Sequence, residues 1–378
     1  MRLDTLAIHA GQRPDVATGA VTTPVYQTAT YVQAAPGEHK GWAYSRGENP
    51  TRDALQENLA ALEGVPYGLT FSSGCAAAAT IMHSFEVGDH IICGDDGYGG
   101  TYRLFVEVFT RSGLTFSFVD LTAEGALEAA IRPETKAVWL ETPTNPMLKV
   151  TDLAAVAEIS KAKGLLTICD NTFMTPVFQR PFEFGFDVVV HSTTKYLNGH
   201  SDVIGGFVCT PDEERFERLR RLQISIGATQ GPWDSWLILR GIKTLPIRMR
   251  VHDSNGRAMA SFLNEHKSVE KVIYPGLASH PQHKIAARQM SGFGGMISVV
   301  VKGGLEGSTK FIKALKVFAL AESLGGVESL VQHPALMTQA SVAPERRAKL
   351  GIEDGLVRLS VGIEDIDDLK EDLDQALA

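Results

Sequence analysis

Short β-rich apolar runs alternate with helix-like stretches between about residues 65 and 210. The runs with the length and composition of strands are 68–71, 90–93, 114–119, 137–140, 165–169, 188–190 and 207–209. Strands that alternate with helices usually form a parallel sheet whose faces the helices cover. The pattern therefore predicts an α/β fold with a mainly parallel sheet.

One of the intervening stretches, 152–163, carries signals for both of its ends. Thr151 precedes it as the predicted N-cap, and Asp152 places an acid in the first turn. Lys161 and Lys163 lie in the last turn, and Gly164 follows them. Hydroxyl caps, dipole-matched charges and a C-terminal glycine are typical of helix ends, so we expect a helix here.

The two ends of the chain differ from this central part. Residues 1–45 are turn-rich with little helical period, which predicts either an extended arm that embraces another subunit or a poorly ordered tail. After residue 240 the pattern indicates amphipathic helices near 254–265 and 308–315, a short strand pair, a strand at 356–361 and an acidic helix from Asp365. We therefore predict an arm (1–45), a large domain (46–240) and a smaller α+β domain (241–378).

Polar clusters follow five of the predicted strands. They occupy residues 72–74, 95–98, 141–145, 170–172 and 192–195. Ligands of open α/β sheets bind beyond the carboxyl ends of the strands, so we expect these clusters to converge on one site.

Two of the clusters contain residues with distinctive chemistry. Lys195 follows an apolar run and a group of hydroxyl residues, and Asp170 ends the previous apolar run. Pyridoxal phosphate (PLP) needs a lysine for its aldehyde and an acid for its ring nitrogen. A solvated lysine and a turn or cap aspartate are the alternatives for these two segments taken alone.

Composition narrows the class of protein. The 378 residues include 44% hydrophobic and 21% charged positions, the net charge is −8 and the pI is near 5.8. An acidic chain without a basic run is a poor partner for nucleic acid. We see no signal-peptide pattern and no membrane-length apolar stretch of about 18 residues, so we expect a cytoplasmic protein without a membrane partner.

The sequence contains no motif that would indicate a metal hydrolase, a nucleotidase or a dinucleotide-binding enzyme. HExxH, Walker and GxGxxG motifs are absent, and the four cysteines form no CxxC pair. Cys93, Cys169 and Cys209 are expected in a reduced core. Cys75 lies in a glycine loop and is expected near the cofactor.

Longer motifs give the chain a family resemblance. They are 44–46 (YSR), 49–51 (NPT), 72–74 (SSG), 95–101 (DDGYGGT), 141–146 (ETPTNP), 170–172 (DNT), 192–196 (STTKY), 199–202 (GHSD), 322–326 (ESLGG) and 358–362 (RLSVG). In number, order and spacing these motifs resemble those of the Cys/Met-metabolism PLP enzymes, the trans-sulfuration family. The resemblance runs nearly end to end. It implies a PLP-dependent transferase-like fold of the aspartate aminotransferase type.

The resemblance also assigns cofactor-binding roles. It implies that Lys195 binds PLP covalently and moves protons, that Asp170 pairs with the ring nitrogen and that Tyr98 stacks on the ring. Asn145 would bond the phenolate oxygen or hold substrate nearby. The phosphate would be bound by the amides of Gly74 and Cys75, by the hydroxyls of Ser192 and Thr194, and by Tyr44 and Arg46 from a neighbouring subunit. Many relatives have Met or Leu where Cys75 stands, but the backbone amide makes that contact.

For the substrate, Arg358 is the candidate clamp on the α-carboxylate because a guanidinium matches that group with two hydrogen bonds. A surface or ion-paired arginine is the alternative. Ser323 and Thr338 are expected in the same pocket. Glu322 and Arg103 match positions near the far end of cystathionine in γ-acting relatives.

The resemblance implies elimination or replacement on a sulfur-containing amino acid. Glu322 favours γ-elimination (cystathionine γ-lyase), with cystathionine γ-synthase and cystathionine β-lyase as alternatives. Gly100 stands where methionine γ-lyases typically have a cysteine, so methionine γ-elimination is less expected than the other reactions. A PLP-fold protein without turnover is a remote alternative. We expect a homotetramer built as a dimer of dimers with a shared active site.

Overall fold

A computed structural model describes residues 1–340 and 344–378. Its strands are β1 (Tyr67–Phe71), β2 (His90–Gly94), β3 (Thr115–Val119), β4 (Thr135–Glu141), β5 (Leu166–Asp170), β6 (Val188–Ser192), β7 (Gly206–Thr210), β8 (Val269–Ile273), β9 (Met296–Val301), β10 (Ala319–Leu320), β11 (Leu330–Gln332) and β12 (Leu356–Ser360). The first seven form one sheet and the last five form another.

Helices connect and cover the two sheets. They are α1 (Leu3–His9), α2 (Pro50–Glu63), α3 (Gly74–Met82), α4 (Gly99–Arg103), α5 (Ala126–Ala130), α6 (Leu153–Ala162), α7 (Thr175–Phe178), α8 (Glu213–Ile226), α9 (Pro232–Ile242), α10 (Leu245–Glu265), α11 (His283–Gln289), α12 (Gly304–Ala314), α13 (Pro344–Leu350) and α14 (Ile366–Ala376). Among the described residues, no helix combines the length and the apolar character needed to cross a membrane.

The large sheet has the order β1-β7-β6-β5-β4-β2-β3. Strands β2 to β6 pair in parallel, whereas β7 runs antiparallel to both β1 and β6. Apolar side chains on the two faces of this sheet pack into separate clusters, such as Ile168 on one face and Cys169 on the other. The predicted α/β architecture and its strand-forming runs are therefore confirmed.

The second sheet has the order β10-β11-β12-β9-β8 and is antiparallel except for the β10–β11 pair. The sequence pattern predicts only a short strand pair before the strand at 356–361, so this sheet is larger than predicted. Helices α10, α12 and α14 pack against it or against one another. Asp365 caps α14, whose start agrees with the predicted acidic helix.

Two local predictions need correction. The sequence pattern predicts no helix in residues 1–45. The structure nevertheless has α1 there, and this helix buries Ala7 against α2 and α10. The N-cap of α6 is Asp152, whose carboxylate accepts a hydrogen bond from the Ala155 amide at 3.3 Å. Thr151 precedes this cap and is not part of it; its backbone amide donates to Thr142 Oγ1 and its carbonyl accepts from the Gln289 side chain.

The boundary predicted at residue 240 falls inside α9, and α10 then leads into the smaller sheet. The exposed segment between α1 and α2 is mostly irregular, with isolated bridges such as Thr30 to Tyr44. This region therefore has backbone groups that another chain can reach.

Candidate active site

A cavity of about 630 Å³ lies between the carboxyl end of the large sheet and the edge of the small sheet. The predicted residues that line it are Gly74, Cys75, Tyr98, Asn145, Asp170, Ser192, Thr194, Lys195, Glu322, Ser323, Thr338 and Arg358. Its volume is in the range typical of small-molecule sites. Residues far apart in sequence converge here because successive parallel strands end at the same edge.

Lys195 lies in the turn after β6, within the cavity. Its Nζ donates a hydrogen bond to Ser323 Oγ at 2.7 Å. Burial and then the nearby positive charge of Arg358 lower the pKa of Lys195 to about 8. A substantial fraction of the amine is therefore neutral near physiological pH, as a nucleophile and a general base require.

Asp170 ends β5 and is held by the residue two positions later. Its Oδ1 accepts hydrogen bonds from the Thr172 amide, at 3.0 Å, and from the Thr172 hydroxyl. That hydroxyl also accepts from the Ser192 amide at 2.9 Å, which links the ends of β5 and β6. Both bonds to Asp170 use Oδ1, so Oδ2 is left for a partner in the cavity. Thr172 was not predicted as a site residue, although it belongs to a predicted strand-end cluster.

Tyr98 precedes α4 and lines the cavity with a partly exposed ring. Its amide donates to Glu141 Oε2 at 2.9 Å. Burial raises the pKa of the Tyr98 phenol, so the ring is neutral at physiological pH. Glu141 lines the same cavity from the end of β4 and was missed as an individual site residue.

The start of α3 forms a candidate anion-binding cradle, made of the backbone amides of Gly74 and Cys75. Ser73 caps the helix by accepting from the Ala76 amide at 3.0 Å, so the earlier amides of Gly74 and Cys75 stay available to the cavity. A Cβ on Gly206 would lie 2.2 Å from the Ser73 carbonyl oxygen, so only glycine lets β7 approach this turn. Helix N-terminal amides and the helix dipole both favour a phosphate.

The two hydroxyls predicted for the phosphate differ in their contacts. Ser192 lines the cavity, and a Cβ on Gly74 would lie 3.2 Å from Ser192 Cβ. The hydroxyl of Thr194 donates to the Gly205 carbonyl at 3.3 Å and accepts from its amide at 3.0 Å. Thr194 therefore also holds the chain between β6 and β7.

Arg358 lies on β12 and is only 2% exposed. Its guanidinium donates to Asn145 Oδ1 at 2.9 Å, to the Ser323 carbonyl at 2.7 Å and to Gln332 Oε1 at 2.7 Å. These partners are all neutral, and burial lowers the pKa of Arg358 to about 10. A buried cation held by neutral groups favours an anionic ligand, because such a ligand compensates the charge.

The other predicted substrate residues have separate positions. Glu322 and Ser323 line the cavity, and Ser323 has a φ of 94°, in the region that favours glycine. Thr338 also lines it, but its hydroxyl accepts from the side chain of Gln332. Gln332 was not predicted as a site residue, and its role follows from its position on β11 opposite Arg358 on β12.

Arg103 is the remaining predicted substrate residue. Its charge acts on the thiol of Cys75 and on the phenol of Tyr98, so it lies on the side of the site formed by these two residues.

Tyr44 and Arg46 lie outside the cavity of their own chain. The Tyr44 side chain is 50% exposed, and the Arg46 guanidinium lies 5.7 Å from the centre of its ring. Arg46 also donates to the Ile224 carbonyl at 2.7 Å. These positions do not bring the pair to the cradle of the same subunit.

The residues present fit PLP. The cavity joins an amine of lowered pKa, a carboxylate oxygen to which no described residue donates a hydrogen bond, an aromatic ring and the candidate anion cradle. Those groups match the aldehyde, ring nitrogen, ring face and phosphate of the cofactor.

Known proteins resemble the chain over nearly its full length. Residues 4–378 match the family described as Cys/Met metabolism PLP-dependent enzyme. The cystathionine beta-lyase of Coxiella burnetii is 54% identical, over 99% of this chain and 97% of that protein. The cystathionine gamma-lyase of Bacillus subtilis is 52% identical, over 100% of this chain and 99% of that protein. The solved cystathionine gamma synthase of Xanthomonas oryzae pv. oryzae, in complex with aminoacrylate and cysteine, is 44% identical with a TM-score of 0.98, over 100% and 98% of the two chains.

Proposed function

Because the chain belongs to the Cys/Met-metabolism PLP-dependent enzymes, we propose that it is a carbon–sulfur lyase that breaks the Cγ–S bond of cystathionine. The products of this γ-elimination are cysteine, 2-oxobutanoate and ammonia, and one water molecule is consumed. The observation that carries the proposal is the placement of Lys195, Asp170 and Arg358 around one cavity that Glu322 also lines.

Bound PLP supplies an electron sink for the pair left at Cα when its proton departs. Lys195 is the base that takes this proton, since its lowered pKa provides a neutral amine within the cavity. Asp170 would hold a proton at the ring nitrogen with its available oxygen. Tyr98 would pack against the ring face and limit the access of water.

Arg358 would bind the α-carboxylate and set the direction of the substrate. Its contacts with Asn145, Ser323 and Gln332 fix the guanidinium plane before substrate arrives, which lowers the ordering cost of binding. Glu322 would engage the distal ammonium group of cystathionine. This contact would hold the chain so that Lys195 can reach a Cβ proton after the Cα proton has moved.

β-Elimination is the second candidate, supported by the 54% identity to a cystathionine beta-lyase. It needs only the first proton transfer, consumes one water molecule and releases homocysteine, pyruvate and ammonia. γ-Replacement is the third, supported by the structural similarity to a cystathionine gamma synthase. It would join cysteine to an activated homoserine ester and release the ester's acid.

A product assay separates the three reactions. Purified enzyme is incubated with cystathionine, and the 2-oxo acids and thiols are identified by mass spectrometry. A parallel incubation contains an O-acylhomoserine and cysteine, and Lys195→Ala is the control for both. We expect 2-oxobutanoate and cysteine to dominate. Pyruvate and homocysteine as main products would favour β-elimination, and net cystathionine synthesis would favour γ-replacement; either result would contradict the γ-lyase proposal.

The oligomer belongs to the same proposal. Tyr44 and Arg46 are exposed or half-exposed and lie outside the cavity of their own chain, in the irregular segment before α2. We propose that this segment carries them to the phosphate cradle of a neighbouring subunit. The working unit would then be at least a dimer, and we expect two such dimers in a tetramer.

A further inference from the structure

Glu141 and Asp170 are two buried carboxyl groups at neighbouring strand ends. They are paired positions in the parallel β4–β5 ladder. Residues paired across parallel strands project to the same face of a sheet, and both side chains line the cofactor cavity. The cofactor site inferred above uses only one of them, Asp170, for the ring nitrogen.

The hydrogen bonds of the two carboxyl groups are unequal. Asp170 accepts from the amide and the hydroxyl of Thr172. Burial raises the pKa of Asp170 as well, but these two hydrogen bonds and the nearby His191 oppose that rise. Within residues 1–340 and 344–378, Glu141 accepts from a single donor, the Tyr98 amide. Since more donors stabilise a carboxylate more strongly, Asp170 is the better site for a negative charge.

The surroundings of Glu141 oppose its ionisation. Burial, followed by the charge of Asp170, raises the pKa of Glu141 well above its ordinary value. Asp96, from the loop after β2, acts in the same direction, while the Tyr98 amide and Arg358 on β12 oppose it. Adjacent carboxyl groups in a site of low polarity usually share one proton. The hydrogen bonds place that proton on Glu141.

Glu141 also supports the segment that carries the stacking ring. Tyr98 lies between Gly97 and Gly99, and a Cβ on Gly97 would lie 3.7 Å from Glu141 Oε2. The carboxyl group therefore lies directly against this segment and bonds the Tyr98 amide at 2.9 Å. A neutral carboxyl can keep this bond, because its carbonyl oxygen accepts while the other oxygen carries the proton.

We propose that Glu141 is a positioning residue of the cofactor site: a neutral carboxylic acid that anchors the Tyr98 backbone and leaves Asp170 as the single anion for the ring nitrogen. The inference rests on the cofactor site proposed above. It does not depend on which carbon–sulfur bond the enzyme breaks.

The protonation of Glu141 is tested first on cofactor-free protein, without any turnover. Glu141→Gln copies the neutral acid in shape and cannot ionise. When folding raises the pKa of a carboxyl group, the free energy of unfolding falls as the pH rises above the pKa of that group in the unfolded chain. The reason is that the unfolded chain releases the proton while the folded protein still holds it. The melting temperature of Glu141→Gln relative to the parent should therefore rise as the pH increases above the ordinary pKa of a glutamate, about 4.3.

Infrared difference spectroscopy of the cofactor-free parent and of Glu141→Gln tests the protonation state of Glu141 independently. The parent should show a protonated-carboxyl band at neutral pH that is missing from Glu141→Gln. A melting difference that does not change with pH, together with the absence of this band, would show that Glu141 is ionised and would overturn the proposal.

The positioning role is tested by cofactor binding. Glu141→Gln should keep the PLP dissociation constant within about twofold of the parent, with the same circular dichroism of the bound chromophore, because an amide oxygen still accepts from Tyr98. Glu141→Leu leaves the Tyr98 amide without its acceptor, which typically costs enough to weaken binding about tenfold. Its chromophore dichroism should also change.

Two outcomes would contradict the positioning role. Normal dichroism and affinity in Glu141→Leu would show that the Tyr98 segment needs no anchor. A loss in Glu141→Gln as large as that in Glu141→Leu would show that a negative charge is required. If Glu141→Leu does not fold, Glu141→Gln and the infrared band still decide the question.

Discussion

At the residue scale, the amine of Lys195 is controlled by its neighbours. Burial and Arg358 lower the pKa of Lys195, while Glu322 and Cys75 act in the opposite direction. Arg358 thus has two effects in one cavity under the proposed function: it would offer a cation to the substrate carboxylate, and it disfavours a second cation on the lysine. The sequence predicts both residues but does not reveal this coupling between them.

The first prediction concerns the pH dependence of cofactor attachment. Covalent attachment needs the neutral amine, so the rate at which cofactor-free enzyme incorporates PLP should rise with pH, with a midpoint near the Lys195 pKa of about 8. Arg358→Gln removes a positive charge that lowers the Lys195 pKa, so the midpoint should move to higher pH. Stopped-flow absorbance measures both profiles, and equal midpoints would show that Arg358 does not influence the lysine.

The second prediction uses Arg358→Lys, which retains the charge but loses the paired donors. We expect the KM for cystathionine to rise roughly ten- to a hundredfold, because a charge-assisted hydrogen bond is lost. The midpoint for PLP incorporation should stay close to that of the parent. Steady-state kinetics with the purified variant give the KM, and an unchanged value would place the carboxylate elsewhere.

The third prediction concerns Glu322 and the choice of bond. Glu322→Ala should depress 2-oxobutanoate formation from cystathionine more than pyruvate formation, because only γ-elimination needs the second proton transfer. Glu322→Gln is the matched control that keeps the side-chain length without the charge. The ratio of the two oxo acids is measured by chromatography, and equal losses of both would remove the distal contact from the mechanism.

At the element scale, the proposed phosphate cradle depends on a close approach of β7 to the start of α3. Gly206→Ala would place a methyl group 2.2 Å from the Ser73 carbonyl oxygen, a backbone atom that cannot move alone. The fourth prediction is a loss of about 1–3 kcal/mol in the free energy of unfolding, with weaker PLP binding. Urea unfolding and PLP titration measure the two effects.

Gly94→Ala is the matched control, since a Cβ there meets no atom of the described part of the chain within 4 Å. Gly94 ends β2 in the same sheet, at a backbone conformation that other residues adopt. It should behave like the parent in both measurements. An equal loss in the two variants would show that the cradle does not depend on the contact between Gly206 and Ser73.

At the scale of the whole molecule, the position of Arg46 leads to the fifth prediction. Lys195→Ala and Arg46→Ala should each be nearly inactive alone, but mixed subunits should recover up to about a quarter of the parent activity. Half of randomly mixed dimers would be hybrids, and each hybrid would contain one intact site of two. Activity after verified subunit exchange is the measurement, and no recovery would place Arg46 outside the partner's site.

The sequence by itself determined the strand-forming runs, the helix periodicity and the motifs that carry Lys195, Asp170 and Arg358. These features depend on local preferences and short spacings, which survive without knowledge of the neighbours in space. The predicted strand at 188–190 lies within β6, for example, and the cavity forms where the strand-end clusters meet. The family follows from the same motifs, because their order is a property of the chain.

Only the tertiary structure decided which side chains act on one another. It set the antiparallel direction of β7, the full five-stranded sheet and the choice of Asp152 over Thr151 as the α6 cap. The contacts of Glu141 with Tyr98, and of Gln332 with Arg358, also emerged only there. Strand register and packing between sheets bring these groups together across more than 25 residues, and such pairings leave no local pattern in the sequence.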